Sequence, residues 1–247
     1  MLINPKYEHL REWLERLPED FEQLGEVIYN RRNQLRVIKA PDGTLINAKR
    51  YCIPHIVNRI VYSLGVRQPK GLRAFTYPTI LWERGIDTPE PIAYIEQRRC
   101  GLLGLSYFIS VQSQLGHTLY EFGNAPEGTY EEMADALGRY SATMHEREVL
   151  HLDYTPGNIL WDKDDEGYHF AIVDINRMRF GKVDINDGCK GLCRLWGPKR
   201  FIELIARSYA NARGFDQDVA VRLTMQARTA FWTRYSRRHP VDFTLEL

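Results

Sequence analysis

The chain has 247 residues, 44% hydrophobic and 26% charged, with a net charge of +1 at pH 7. That length can bury a core in one large domain or two small lobes, and the near-neutral balance excludes a molecule biased as a whole toward nucleic acid. No apolar run is long enough for a membrane-crossing helix, the amino terminus lacks a signal peptide, and the four cysteines (Cys52, Cys100, Cys189, Cys193) follow no zinc spacing. Buried or neutral thiols in a reducing, cytoplasmic compartment are expected.

In chain order, Leu10, Trp13, Leu14 and Leu17 have an amphipathic spacing that Pro18 interrupts. They predict a leading helix or strap over residues 1–24, with structure proper beginning at Gly25. From Glu26 the pattern changes to strands: Val27-Ile28-Tyr29, then Leu35 to Ile38, then Thr44 to Tyr51. Their connections are the polar turn Asn30 to Asn33 and the Pro41-Asp42-Gly43 turn, where proline presets φ and glycine permits a positive φ. Ile56-Val57 and Ile60-Val61-Tyr62, flanked by His55, Arg59, Arg67, Lys70 and Arg73, read as a basic amphipathic helix. Its apolar side is expected to face the core, and a membrane surface or an acidic substrate is the less favoured reading.

Leu72 to Arg84 is expected to be a helix that starts or kinks at Pro78. A loop rich in proline and glycine follows, then strands over Ile92–Glu96 and Tyr107–Gln112. Gln114 to Leu119 would connect two lobes. Met133, Leu137, Tyr140 and Met144 have helical spacing, with Thr129 as the candidate N-cap and Glu132 three residues on. From Gly188 to Arg238 the periodicity is helical again.

The chemistry concentrates in His151-Leu152-Asp153-Tyr154-Thr155-Pro156-Gly157-Asn158, followed by Asp174. Apolar runs Ile159 to Trp161 and Phe170 to Val173, joined by a polar linker with Gly167, predict a β-hairpin. In an antiparallel hairpin the start of one strand lies beside the end of the other, so Asn158 and Asp174 would be neighbours, with Asp153 on the loop leading in. Three oxygen-bearing side chains there suit a Mg²⁺ and proton-transfer site.

The order H-x-D-x-x-x-x-N, then an Asp closing a strand, resembles the catalytic core of protein-kinase-like phosphotransferases. The likeness implies an α+β, bilobal protein-kinase-like fold spanning residues 1–247 as a single domain. A small antiparallel β lobe would cover about residues 25–116 and a mainly helical lobe about 117–247. Lys49 in the third strand resembles the kinase lysine that neutralises ATP phosphates, although a solvated strand lysine is the commoner fate. Two features depart from the pattern. The turn at Arg31-Arg32 has no glycine to cover phosphates, and Thr76 stands where the lysine's glutamate partner is expected, leaving Glu83 as the one acid of that segment. A chain that runs from Ile175-Asn176 almost directly into helices also has no long activation segment of the kind that gates peptide substrates.

His151 to Leu160 and Ile172 to Gly181, with the Glu83 to Pro91 loop and Cys193 to Gly197, are similar to the Kdo/heptose lipopolysaccharide kinase family. That resemblance implies ATP-dependent phosphorylation of a Kdo or heptose hydroxyl in the lipopolysaccharide inner core, at the cytoplasmic face of the inner membrane with peripheral membrane contact. Asp153 would take the acceptor proton, Asn158 and Asp174 would hold Mg²⁺, Lys49 would bind ATP phosphates, and His151 would brace the loop. A nucleotide-binding scaffold, or a kinase of protein or another small molecule, stays open as the alternative, and no nucleic-acid partner is implied.

Overall fold

Alternating side chains from Glu26 onward build an antiparallel sheet, as the sequence predicts, but the sheet is larger than the predicted strands require. The computed structural model describes residues 1–247 and divides into two units, residues 1–83 with 88–114 and residues 84–87 with 115–247.

The first unit opens with β1 (Leu2–Ile3), a 3-10 turn over Pro5–Leu10 and α1 (Arg11–Asp20). Next come β2 (Glu26–Asn30), β3 (Gln34–Lys39), β4 (Leu45–Tyr51), α2 (Ile56–Ser63) and α3 (Lys70–Glu83). β5 (Pro91–Arg99) and β6 (Leu102–Val111) complete it. The strands form one six-stranded sheet in the order β1-β5-β6-β4-β3-β2. Lys49 pairs with Leu35 and Phe108, so these three share a face, while Ile46 and Ala48 enter the buried cluster with Leu10, Leu14, Leu17 and Phe21.

Ordered structure therefore begins well before Gly25. The leading segment is the cover of this sheet: Leu14 is 0% exposed, and its truncation to alanine would cost about 3 kcal/mol. Pro18 lies inside α1, close enough to its end that the turn persists. The segment also settles a buried cation. Arg36 donates to the carbonyl of Leu24 at 2.6 Å and lies 5.7 Å from the Phe21 ring, so its charge is hydrogen-bonded inside the unit. Gly25 allows the close approach, with φ +58 and only 2.0 Å between an added Cβ and the Val37 carbonyl oxygen.

Two expectations for this unit are corrected. α3 starts at Lys70 rather than at Pro78, which is accommodated inside it. The Thr76 hydroxyl donates to the Leu72 carbonyl one turn back at 3.1 Å, and Glu83 is the exposed last residue of the helix. α2 does not bury its apolar side: Ile56, Val57 and Ile60 are 48%, 61% and 45% exposed, and only Tyr62 is buried. Cys100, in the β5–β6 turn at φ 51, is exposed, while Cys189 and Cys193 are the buried thiols that composition suggests.

The second unit contains β7 (His117–Thr118), a 3-10 turn over Leu119–Phe122, α4 (Glu131–Glu146) and β8 (Val149–His151). β9 (Ile159–Asp164), β10 (Gly167–Ile172) and β11 (Met178–Phe180) follow. α5 (Ile185–Leu192), α6 (Lys199–Arg213) and α7 (Gln217–Ser236) end the chain. α4 packs on α6 around Met133, Leu137, Ile205 and Tyr209, all 0% exposed. Gly138 permits that approach, since an added Cβ would meet the Ile205 carbonyl oxygen at 2.8 Å. The expected Thr129 cap is absent: the Glu131 carboxylate accepts the Gly128 and Tyr130 N–H groups at 2.9 and 3.1 Å, and the helix begins at Glu131. Fully buried Arg228 donates to the Leu195 and Gly197 carbonyls at 2.6 and 2.9 Å, which pins the connection between α5 and α6.

Candidate active site

The hairpin that positions the site forms as the apolar runs predict, with a shorter turn. β9 and β10 pair antiparallel from Gly167↔Asp164 to Ile172↔Ile159, leaving Asp165-Glu166 as the connection. One step past the last pair, the Val173 N–H donates to the Asn158 carbonyl at 3.0 Å. The backbone thus joins Asn158 to the residue preceding Asp174.

The loop between β8 and β9 is held by its own side chains. The Asn158 amide donates to the Asp153 carbonyl at 2.9 Å, which commits its NH₂ to the loop and keeps its Oδ1 as an oxygen donor. The Asp153 N–H donates to His151 Nδ1 at 3.1 Å, and His151 Nε2 meets the Val173 carbonyl at 3.0 Å. Accepting at Nδ1 and donating at Nε2 requires a neutral imidazole. Burial pushes the His151 pKa down, against the pull of its Val173 bond and of Asp174 and Asp153, so the ring is suited to this brace. A 3-10 turn over Pro156–Asn158 then delivers the chain to β9. Gly157 has no positive φ; glycine is needed because an added Cβ would lie 2.7 Å from the Tyr120 ring.

Asp153 is a quarter exposed and shared between two guanidinium groups: Arg194 donates to its Oδ1, and Arg177 approaches its Oδ2 at 3.4 Å. Asp174 has φ 54, a left-handed conformation tolerated by Asp and uncommon otherwise. The Asn176 amide donates to its Oδ1, so the residue in the third place after Val173 has a structural task. Buried Asn176 Oδ1 has no hydrogen-bond partner.

Asn158 and Asp174 are hard oxygen donors at adjoining hairpin ends, which fits Mg²⁺: that ion takes one or two protein oxygens and completes its shell with water and phosphate. No group of three His, Cys, Asp or Glu side chains forms an all-protein metal cage. Lys49, on β4 in the first unit, passes 5.3 Å from the Tyr51 ring on its own strand face.

Sequence reasoning found the loop residues and missed their long-range partners. Tyr120 against Gly157 and Arg194 against Asp153 are 37 and 41 positions apart, and no local motif announces either. Arg194 lies in the Cys193 to Gly197 stretch that carries the family resemblance, but nothing in that stretch names Asp153 as its partner.

The family model described as lipopolysaccharide kinase (Kdo/WaaP) matches residues 31–184, more than half of the chain. Curated proteins give no match. Among solved structures, WaaP in complex with acyl carrier protein is similar at 17% identity and a TM-score of 0.58, covering 96% of this chain and 99% of that one. The amicoumacin kinase hAmiN, in complex with AMP-PNP, Ca²⁺ and Ami, is 11% identical with a TM-score of 0.58, over 97% of this chain and 92% of that one. At such identities the likeness establishes the fold, which is protein-kinase-like with an antiparallel sheet and a helical carboxy-terminal part.

Proposed function

The chain belongs to the lipopolysaccharide kinase (Kdo/WaaP) family, and on that premise we propose how its residues divide the work of an ATP-dependent phosphotransferase acting on a core sugar. Asp153 orients the acceptor hydroxyl and takes its proton as the new P–O bond forms. Asn158 and Asp174 are the residues that would hold Mg²⁺, and Lys49 the one that would neutralise the non-transferred phosphates. When bound, Mg²⁺ would supply neutralisation of the phosphate charge. His151 keeps the loop in register, and Asn176 and Asn158 fix the atoms around the two acids. The observation that supports this most is the closed set of bonds from His151 to Asp153, from Asn158 to Asp153 and from Val173 to Asn158. Pre-positioned groups of this kind are where phosphotransferases gain rate, because positioning and electrostatics carry most of that reaction.

The acceptor is a Kdo or heptose hydroxyl of the inner core. α5 begins at Ile185, eleven positions past Asp174, so the intervening segment is short, and a small or glycolipid acceptor suits it better than a peptide. The test is transfer from γ-labelled ATP to purified core lipopolysaccharide and, in parallel, to protein. Label in a core sugar is expected; label in protein alone contradicts this reading.

Reaching such an acceptor calls for contact with the inner membrane. No helix is long and apolar enough to cross one. The exposed side of α2, continued by Leu64 and Val66 at 73% and 77% exposure beside exposed Arg67 and partly exposed Lys70, fits an anionic bilayer surface by combining apolar area with positive charge. Sedimentation with phosphatidylglycerol-containing vesicles should exceed that with phosphatidylcholine alone and should fall in Val57→Glu/Ile60→Glu. Equal sedimentation of that variant would remove the α2 contact.

A further inference from the structure

A cleft of about 680 Å³ in the second unit opens directly beside the loop, with His151 and Leu152 in its wall. Four cations line it, Arg179, Lys190, Arg194 and Arg234, against a single carboxylate, Asp187. That carboxylate is already engaged, accepting from Arg179 at 2.6 Å. Arg194 belongs both to the cleft and to Asp153, and its guanidinium stands 4.9 Å from the Phe231 ring, another wall residue. Leu152 and Phe231 add apolar surface on which a sugar ring can lie. The cleft draws Arg179, Lys190 and Arg194 from the segment that follows the loop and Arg234 from the far end of α7.

We propose that this cleft is the acceptor subsite and that it selects a sugar carrying its own negative charge, a carboxylate or a phosphate, with Arg194 exchanging Asp153 for that anion. The acceptor's identity as a core sugar rests on the kinase reading above; the charge requirement rests on the cleft. A carboxylate held by Arg194 and Arg177 is a poor acceptor of a hydroxyl proton, because both of its oxygens face guanidinium donors. An incoming anion offers Arg194 an equivalent partner at little net change, so Asp153 is released only when the cleft is filled by an acceptor of the right charge. A neutral sugar leaves the ion pair closed. Arg194 is thus a positioning residue, whereas Arg234 and Lys190, both exposed and away from the loop, serve binding alone.

The experiment uses the full chain, ATP and deacylated core oligosaccharide in three forms: native, carboxyl-reduced, and phosphatase-treated. Binding of each form without ATP is read by calorimetry, and acceptor KM and kcat by label transfer. At least a tenfold weaker response is expected for whichever treatment removes the recognised anion, and the losing arm identifies carboxylate or phosphate as its source. Arg234→Gln should raise the acceptor KM about tenfold with the ATP KM unchanged. Arg194→Gln should erase the discrimination between native and neutralised acceptors, and Arg194→Lys should restore part of it. If native core is phosphorylated but all three forms bind equally and Arg234→Gln leaves the acceptor KM unaltered, the subsite is wrong while the kinase reading stands. If native core binds in calorimetry with Arg234-dependent affinity but receives no label, the kinase reading fails and the anion subsite stands. Absence of binding by all forms overturns the subsite.

Discussion

The segment from His151 to Asp174 and the turn from Asn30 to Asn33 are both polar connections next to strands, and they are held to different degrees. The loop is fixed by side-chain bonds to its own backbone, with His151 fully enclosed and each donor directed at a particular carbonyl or ring nitrogen. In the turn the Arg31 N–H donates to the Asn33 carbonyl at 3.1 Å and the Asn33 side chain accepts the Cys52 N–H at 3.2 Å, while its two arginines are exposed, as are all residues of β2. The contrast sets a loop held by enclosed side-chain bonds against a turn left to exposed, solvated side chains. Burial over-determines a conformation; exposure leaves it to solvent.

The sharpest break in that contrast would come at Asp174. Asp174→Asn removes a charged oxygen donor, so turnover should fall on the order of a thousandfold, the scale of losing a main electrostatic group, together with the response to Mg²⁺ in a thermal-shift titration with ATP. Normal turnover in that variant would mean that the metal is held elsewhere. Gly157→Ala should come next. The added methyl overlaps the Tyr120 ring, with an expected cost of about 1–3 kcal/mol in urea unfolding and a measurable drop in kcat. Replacing Tyr120 by a smaller residue in the same variant should relieve part of that cost.

A smaller effect concerns pH. Burial, helped by Arg213 and Arg179, pushes His145 from its ordinary 6.5 to about 3. Its Nδ1 meets the Tyr209 hydroxyl at 3.1 Å. The folded pKa is depressed, so between those two values the unfolded chain binds the extra proton. Stability is therefore full above pH 6.5 and declines as pH falls toward 3. His151 shifts in the same direction. Urea midpoints should drop between pH 7.5 and 5.5 by an amount worth about 1 kcal/mol from His145 alone, and a flat profile would contradict buried neutral imidazoles. Smallest of all should be Arg31→Ala/Arg32→Ala. With both side chains solvated, the ATP KM should rise less than about threefold, in line with the modest worth of exposed charges. A large rise would show the turn to be a working phosphate clamp and would collapse the contrast.

What the sequence disclosed follows the range of the interactions. The β9–β10 hairpin and the nearness of Asn158 to Asp174 rest on local alternation and on a polar linker, and both were legible. So were β2 to β4 and the helical stretch after Gly188. The role of α1 was not, because Leu10, Leu14 and Leu17 show amphipathicity without naming the sheet face that receives them. α2 shows the same gap in reverse: its apolar spacing is real, yet in the fold that side has no core to enter. The start of α3 at Lys70 was obscured by Pro78, whose missing N–H the helix tolerates. Around the loop, the residues that bond to neighbours in sequence were found, whereas the pairings of Tyr120 with Gly157 and of Arg194 with Asp153 span tens of residues and have no local signature.

Asp153 carries the central claim, and Asp153→Asn tests it most directly. The measurement is label transfer from γ-labelled ATP to purified core lipopolysaccharide, with ATP affinity read by thermal shift on the same preparations. The expected result is transfer reduced by about two to four orders of magnitude, the range for loss of a general base, with the ATP-induced shift retained. Transfer within a few fold of the unaltered protein would contradict the assignment of Asp153 as the group that receives the acceptor proton.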